Sequence, residues 1–170
     1  MSKRFSELIK ERQSCRKFSE KALDKKLLYE IIDAARIAPS ANNLQPWRVC
    51  VSYTAEENEK IKNCLQDGDR NKFLDRAKAF VAVYETEGNV ALSRFSEYDV
   101  GEFVAYLTLA AKDRGVDSCI IGWVNNEKLN QTLALNGKCN IVVALGYGDH
   151  DSVRQKSRLA LKDIIVNYED

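Results

Sequence analysis

The spacing of apolar residues changes from helical to strand-like along the first third of the chain. Apolar positions 5, 8 and 9 predict a short first helix, and a polar loop over residues 14–19 follows it. The next helix presents one apolar face, formed by Leu27, Leu28, Ile31, Ile32 and Ala35. Asp24 is a typical N-cap for this helix, and Pro39 restricts Ala38 to non-helical geometry. Residues 47–53 then alternate apolar and polar side chains, which predicts a half-buried strand.

Helix and strand signals continue to alternate through the rest of the chain. Thr54 and Glu57 form a capping-box pattern for a third helix. Asp99 with Glu102 gives another N-cap signature, and Gly115 suits the C-cap of that helix. Further predicted elements are strands over residues 79–85, 118–124 and 140–147, a helix over residues 126–135 and an edge-like last strand over residues 161–166. Because strands follow loops without long crossovers, we predict an α+β fold with a mixed sheet rather than a fully parallel one.

Composition is typical of a globular protein and excludes several classes of partner. The 170 residues are 45% hydrophobic and 30% charged, which predicts a single domain over residues 1–170. The 26 Lys and Arg residues nearly balance the 25 Asp and Glu residues, so neither nucleic acid nor an anionic membrane is an expected partner. The start lacks the apolar run of a signal peptide, and no apolar stretch approaches the roughly 18 residues of a membrane span. We therefore expect a cytoplasmic protein.

Cysteine and histidine usage argues against a metal site. The chain has five cysteines without a C-x-x-C pair and a single histidine, His150, which do not form a usual zinc set. Reduced thiols in the cytosol fit this pattern best. Gly146 and Gly148 lack the third glycine of a dinucleotide-binding fingerprint, and no P-loop is present.

Three separated segments carry the candidate chemistry of this chain. They read Arg-Gln-Ser-Cys-Arg-Lys-Phe over residues 12–18, Ala-Pro-Ser-Ala-Asn-Asn-Leu-Gln-Pro-Trp over residues 38–47 and Lys-Ser-Arg over residues 156–158. If the fold brings their cations together, guanidinium groups can bind phosphate oxygens in pairs, and Ser14 can add a hydroxyl or a backbone N–H. The alternatives are solvated surface cations for the first and third segments and ordinary turn chemistry for the second.

Together these segments resemble the FMN-dependent nitroreductase family. Its signatures read roughly Arg-x-Ser-x-Arg-x-Phe, Ala-Pro-Ser-x-x-Asn-x-Gln-Pro-Trp and Lys-x-Arg, and the resemblance spans Arg12 to about Val166. It implies a nitroreductase-like α+β fold with a mostly antiparallel sheet flanked by helices. It also implies a homodimer that holds FMN at two interface sites, with C-terminal strand exchange for which residues 161–166 would suit strand addition.

The resemblance implies roles for individual residues as well. Arg12, Lys156 and Arg158 would meet the phosphate with Ser14, whereas Arg16 would approach the pyrimidine edge. A cation there favours the reduced flavin, which bears negative charge around N1 and O2. The remaining expected contacts are the loop residues Pro39, Ser40, Asn43 and Gln45, the strand residues Ile121 and Gly122, and Lys72. An ordinary buried strand around Gly122 and an exposed helix end at Lys72 stay open as alternatives.

The activity that the resemblance implies is electron transfer through the cofactor. FMN would accept hydride from NADH or NADPH and then reduce a small electron acceptor, such as a nitro compound or a quinone, in a ping-pong cycle. No acid–base side chain is required for hydride uptake, so a chain with one histidine can still be such an enzyme. The alternatives are a non-catalytic flavin store or sensor, and a related flavin enzyme with different chemistry such as flavin cleavage or dehalogenation.

Overall fold

A four-stranded sheet forms the centre of the molecule. The computed structural model describes residues 4–85, 93–135, 137, 139–149 and 153–167. The strands are β1 (Trp47–Ser52), β2 (Ala79–Glu85), β3 (Asp117–Ile121) and β4 (Cys139–Gly146). Their order across the sheet is β1-β2-β4-β3, and each neighbouring pair is antiparallel. Strands β1 and β3 are therefore the two edges of this sheet.

The described residues also form six α-helices and two short 3-10 turns. The helices are α1 (Phe5–Glu11), α2 (Lys25–Ala35), α3 (Ala55–Leu65), α4 (Ser93–Asp113), α5 (Asn126–Leu133) and α6 (Leu161–Ile164). The 3-10 turns are Ala41–Asn43 and Lys72–Arg76. Within the described residues, none of the helices combines the length and the apolar character that crossing a bilayer requires.

The predicted helix caps explain where three helices begin or end. The carboxylate of Asp24 accepts the N–H of Leu27 at 3.1 Å at the start of α2. At the start of α3, the N–H of Glu57 donates to the Thr54 hydroxyl at 3.2 Å, and the Glu57 carboxylate accepts the N–H of Thr54 at 3.2 Å. Gly115 follows α4 with a φ of +73°, a left-handed geometry that glycine adopts at little cost. These caps agree with the sequence-based predictions.

Apolar side chains pack on both faces of the sheet and make a three-layer α+β architecture. Alternate residues of β2 point to opposite faces, with Val81 and Val83 on one face and Phe80 on the other. Helices α2 and α4 cover the first face, and α3 and α5 cover the second. The rings of Trp47 and Phe103 stack in the first layer at a centroid distance of 5.2 Å. The α+β prediction is therefore confirmed.

One predicted helix start is wrong. Helix α4 begins at Ser93 and not after Asp99, so Asp99 lies inside the helix. Its side chain is only 6% exposed, and its carboxylate accepts the N–H of Ala41 at 3.0 Å. An aspartate that caps a helix and one that accepts a hydrogen bond from a distant loop look alike in a sequence, since both use the same short acceptor. The predicted irregular stretch around Gly88 and the turn residue Asn136 lie outside the described residues.

The predicted last strand is also wrong. Residues 161–164 form the single helical turn α6, and the segment around it is irregular. The apolar residues of this short segment fit a helical turn as well as a strand, so their spacing does not discriminate between the two. Strand β3 ends at Ile121 and is shorter than the predicted 118–124. Exchange of the C-terminal segment between two chains stays a prediction.

Candidate functional site

The first motif runs along the β3 edge of the sheet. Ser14 forms an isolated parallel bridge with Ser118, and the N–H of Cys15 donates to the carbonyl of Ser118 at 2.8 Å. Phe18 forms an antiparallel bridge with Gly148 and is almost fully buried. The Ser14 bridge adds one parallel pairing to an otherwise antiparallel sheet. The motif is thus held in place by backbone pairing on both sides of Arg16 and Lys17.

A pocket at this edge collects four cationic side chains. It has a volume of about 230 Å³ and is lined by two segments, residues 12–14 and residues 154–158. Its cations are Arg12, Arg154, Lys156 and Arg158, and no carboxylate belongs to the described residues that line it. We call this the cationic pocket. The fold therefore brings Arg12 and Ser14 next to Lys156 and Arg158, which lie near the other end of the sequence.

Hydrogen bonds to α1 and the first motif hold the 154–158 segment in place. The backbone N–H and the Nε–H of Arg154 both donate to the Gln13 side-chain oxygen, at 2.9 Å and 3.4 Å. The Arg154 Nη2 donates to the Ser14 carbonyl at 2.8 Å. The Lys156 ammonium donates to the carbonyl of Ile9 at 3.0 Å and to that of Lys10. Lys156 thus binds the C-terminal carbonyls of α1, which leaves one of its three donors for another partner.

Arg154 lines the cationic pocket although it was not among the residues predicted from the sequence. The signal that could have found it is the spacing of residues 154, 156 and 158, because alternate side chains of an extended segment lie on one side. The missed residue adds a third guanidinium to the pocket.

The cations of the pocket repel one another. Burial lowers the pKa of the Lys156 ammonium, and the positive charges of Arg12 and Arg158 lower it further. A group of cations without a lining carboxylate favours a bound anion, because an anion relieves this repulsion.

Arg16 is exposed and lies outside the lining of the cationic pocket. Its charge still reaches strand β3: burial raises the pKa of the Cys119 thiol, and the positive charge of Arg16 opposes that rise. The positive charges of Arg12 and Arg154 oppose that rise as well, so Arg16 and the cationic pocket both lie within electrostatic range of β3.

The Pro-bracketed loop before β1 is held by its own polar side chains. The Ser40 hydroxyl accepts the N–H of Gln45 at 2.9 Å, and the Gln45 amide donates to the carbonyl and side-chain oxygens of Asn43 at 3.1 Å and 3.2 Å. Asn42, Asn43 and Gln45 all have left-handed φ values, of 49°, 56° and 49°. Such values are costly outside glycine and persist where surrounding contacts enforce them. Pro39 is exposed at the start of the loop.

This loop and the cationic pocket lie at opposite edges of the sheet. The loop leads into β1, whereas the pocket lies beside β3, three strand positions away. At a strand spacing of about 4.8 Å, the two edges are about 14 Å apart. Pro39, Ser40, Asn43 and Gln45 are absent from the residues that line the cationic pocket. A single chain therefore does not bring the second motif to the first and third.

The end of β3 offers an open backbone surface. Ile121 is buried in the second layer, whereas Gly122 is exposed, and a Cβ placed on it would meet nothing within 4 Å. The guanidinium of Arg70 lies 4.8 Å from the ring centre of Trp123, next to Gly122. Lys72 follows Arg70 closely in the sequence and pairs with Asp69 on the surface. The Lys72 segment thus borders the end of β3 and does not line the cationic pocket.

Comparison with known proteins decides the family. The family model described as Nitroreductase family matches residues 9–148 of the chain. The chain belongs to the nitroreductase family. The family and the fold predicted from the three motifs are confirmed.

Relatives and solved structures agree with this assignment. A 4-nitrobenzoate reductase of Pseudomonas putida is 43% identical across an alignment that covers 91% of this chain and 90% of that protein. A Ralstonia nicotianae protein assigned as an NADH dehydrogenase/NAD(P)H nitroreductase is 25% identical over 157 residues, covering 79% of this chain and 80% of that protein. A protein of Exiguobacterium sibiricum solved in complex with FMN has the same fold, with a TM-score of 0.88, 19% identity and 99% of each chain covered.

The nitroreductase family match ends before the third motif. It stops at residue 148, so the segment over residues 154–158 lies outside the matched residues. The link between this segment and the first motif therefore rests on the geometry of the cationic pocket in this nitroreductase-family chain.

Proposed function

We propose that this chain is an FMN-dependent NAD(P)H oxidoreductase that reduces nitro compounds, quinones or similar small electron acceptors. The cationic pocket carries this proposal. A phosphate monoester has a charge of about −1.5 to −2 at neutral pH, and guanidinium forks bind its oxygens in pairs. Four cations without a lining carboxylate fit that group. The FMN complex of a protein with the same fold and the NAD(P)H nitroreductase assignment of a relative support the choice of cofactor and reductant.

Arg12 and Arg158 bind the phosphate oxygens in this proposal. Ser14 adds its hydroxyl from the same pocket, and Lys156 contributes its charge and its remaining donor. The Arg158 Nη1 donates to the neighbouring carbonyl of Ser157 at 2.6 Å, which orients the guanidinium beside the pocket. Hydrogen bonds between charged partners are stronger than neutral ones, so these residues supply most of the selectivity for a phosphate.

The remaining predicted contacts serve the flavin ring. Bound FMN supplies the chemistry of hydride uptake and release. Gly122 leaves the backbone open at the end of β3, and Arg16 places a positive charge beside the same strand. Lys72 borders this region from the neighbouring segment. The protein thus positions the ring and favours its reduced form, without a side chain that must transfer a proton to it.

A homodimer completes the site in our proposal. The loop with Pro39, Ser40, Asn43 and Gln45 lies at the far edge of its own chain, so the loop that encloses the flavin comes from the partner. The C-terminal segment carries exposed apolar side chains that a partner would cover: Leu159, Leu161, Ile164, Ile165 and Val166. The strained geometry of the loop fits a role in binding. A cytoplasmic location also stays a proposal.

The visible spectrum of the purified protein tests the proposal. We expect one FMN per chain, and anaerobic addition of NADH or NADPH should bleach the oxidised flavin band. A nitroaromatic such as 4-nitrobenzoate, or a quinone, should then restore the band. Folded protein that stays colourless and does not retain added FMN would refute FMN binding. If dithionite bleaches the flavin but neither nicotinamide does, the protein is a flavin store or sensor.

A further inference from the structure

Gln13 and Arg154 join the two segments of the cationic pocket. We infer that this pair is a clamp that assembles the pocket before phosphate binds, and that it thereby sets the preference for FMN over riboflavin. The inference rests on the proposed function, because it concerns the same pocket. Gln13 acts through Arg154 and Ser14 and is a positioning residue.

The clamp is built from three donors of Arg154 and two acceptors, the buried Gln13 side-chain oxygen and the Ser14 carbonyl. Gln13 is only 6% exposed, and its side-chain oxygen accepts both the backbone N–H and the Nε–H of Arg154. The third bond runs from Arg154 Nη2 to the Ser14 carbonyl. A buried acceptor is costly to leave without a donor, so Gln13 holds Arg154 firmly. Gln13 and Arg154 are 141 positions apart in the sequence. The clamp therefore joins an early and a late segment of the chain at this pocket.

The clamp uses neutral acceptors, and this is what makes it suited to a phosphate site. Arg154 donates to an amide oxygen and a carbonyl, and Lys156 donates to the carbonyls of Ile9 and Lys10. These bonds hold mutually repelling cations together without cancelling their charge. A carboxylate at the same place would hold Arg154 too, but it would neutralise charge that the phosphate needs. Arg12 and Arg158 are the two cations of the pocket that the clamp does not engage.

The experiment compares FMN with riboflavin on the full-length apoprotein. The variants are Gln13→Met, which keeps the length of the side chain and removes the acceptor, Arg154→Gln, and Gln13→Glu. Arg36→Gln is the control, since Arg36 is an exposed arginine at the C-cap of α2 that pairs with Asp33. Dissociation constants for FMN and riboflavin are measured by quenching of flavin fluorescence, and apoprotein unfolding is measured by urea titration.

We expect Gln13→Met and Arg154→Gln each to raise the FMN dissociation constant about tenfold, with riboflavin changed by less than about twofold. The double variant should be little worse than either single variant, because both changes break one unit. Gln13→Glu should raise the urea midpoint of the apoprotein while it weakens FMN binding. Inorganic phosphate should displace FMN less effectively from the clamp variants than from the wild type.

Several outcomes would overturn the clamp. These are FMN affinities equal to that of the wild type, equal losses for FMN and riboflavin, or strictly additive effects in the double variant. A wild-type protein that binds no FMN refutes the proposed function, whereas wild-type binding with unaffected variants refutes only the clamp. If Gln13→Met does not fold, Arg154→Lys replaces it at an exposed position, keeping the charge and removing the fork. Unchanged FMN affinity in Arg154→Lys would then contradict the inference.

Discussion

At the scale of single residues, the cations of the pocket form two groups: two hold the 154–158 segment in place, and two are left to bind the phosphate. Arg154 and Lys156 give their donors to protein oxygens and hold the segment in place, whereas Arg12 and Arg158 lie in the same pocket outside these bonds. A substitution in the first pair disturbs geometry as well as charge, whereas one in the second pair removes a direct phosphate partner and leaves these bonds intact. Different variants in one pocket are therefore expected to give different binding patterns.

Arg158→Ala should weaken FMN binding by about 1.5–3 kcal/mol, because it removes a charge-assisted contact to the phosphate. Riboflavin, which lacks the phosphate, should bind as it does to the wild type. Calorimetric titration of the apoprotein with both flavins measures the difference, and Arg36→Ala serves as the control. Equal losses for the two flavins would show that Arg158 has a structural role.

Arg16→Gln should act on the flavin potential more than on flavin binding. The charge beside β3 favours the anionic reduced flavin, so its loss should lower the potential by about 30 mV, which for two electrons corresponds to about 1.4 kcal/mol. Anaerobic reduction by NADH or NADPH should slow, and FMN affinity should fall less than in Arg158→Ala. The neighbouring exposed cation Lys17, which pairs with Asp149 at 3.2 Å, gives the matched control Lys17→Gln. A potential equal to that of the wild type would exclude the tuning role.

At the scale of elements, the loop before β1 depends on helix α4. Asp99 lies within α4 and accepts the N–H of Ala41, and the Ser40 hydroxyl accepts the N–H of Gln45. These two bonds hold a loop in which three non-glycine residues have left-handed φ values. Removing one of them should let the loop relax.

Asp99→Ala should lower the free energy of unfolding by about 1–3 kcal/mol, because the N–H of Ala41 loses its acceptor in a partly buried place. It should also weaken FMN and riboflavin by the same factor, since the loop does not line the cationic pocket. Asp99→Asn keeps an acceptor oxygen and should lose less stability. Urea unfolding and flavin titration measure both effects, with Asp33→Ala on α2 as an exposed control. A loss confined to FMN would contradict this role of the loop.

Local signals in the sequence predicted most elements, because short-range chemistry decides them. The caps at Asp24 and Thr54 and the apolar run of β2 depend on residues close in sequence. Asp99 was misassigned because its partner Ala41 is 58 residues away, and no local pattern reports such a bond. Residues 161–166 were misassigned because a strand needs a neighbouring strand to pair with. The spacing of apolar residues within one segment does not show whether such a neighbour exists. Arg154 was missed because its importance comes from Gln13, at the other end of the chain.

At the scale of the whole molecule, the three family motifs lie at two different edges of the sheet, although the resemblance to the family predicts that they form one site. The first and third motifs converge beside β3, and the second lies beside β1. The sequence predicts that the motifs belong to one site, yet only the strand order shows that one chain does not unite them. A second copy related by two-fold symmetry could bring a loop to each pocket, since a two-fold interface uses the same surfaces on both chains. A single domain over residues 1–170 and the dimer both stay predictions.

Deleting residues from Leu159 onward should produce monomer or aggregate together with loss of flavin. The deleted segment carries the exposed apolar side chains Leu161, Ile164 and Val166, which a partner would remove from water in the dimer. Light scattering after size exclusion measures the assembly, and the visible spectrum measures bound FMN. Because Lys156 and Arg158 remain in the truncated chain, the phosphate partners of the pocket are still present. Loss of flavin would therefore reflect loss of the partner's loop. Lys162→Ala is the control, because it removes a charged side chain of the same segment and none of its apolar side chains. This variant should stay dimeric and keep its FMN. A well-folded monomer that retains FMN after the truncation would show that one chain is enough to hold the cofactor.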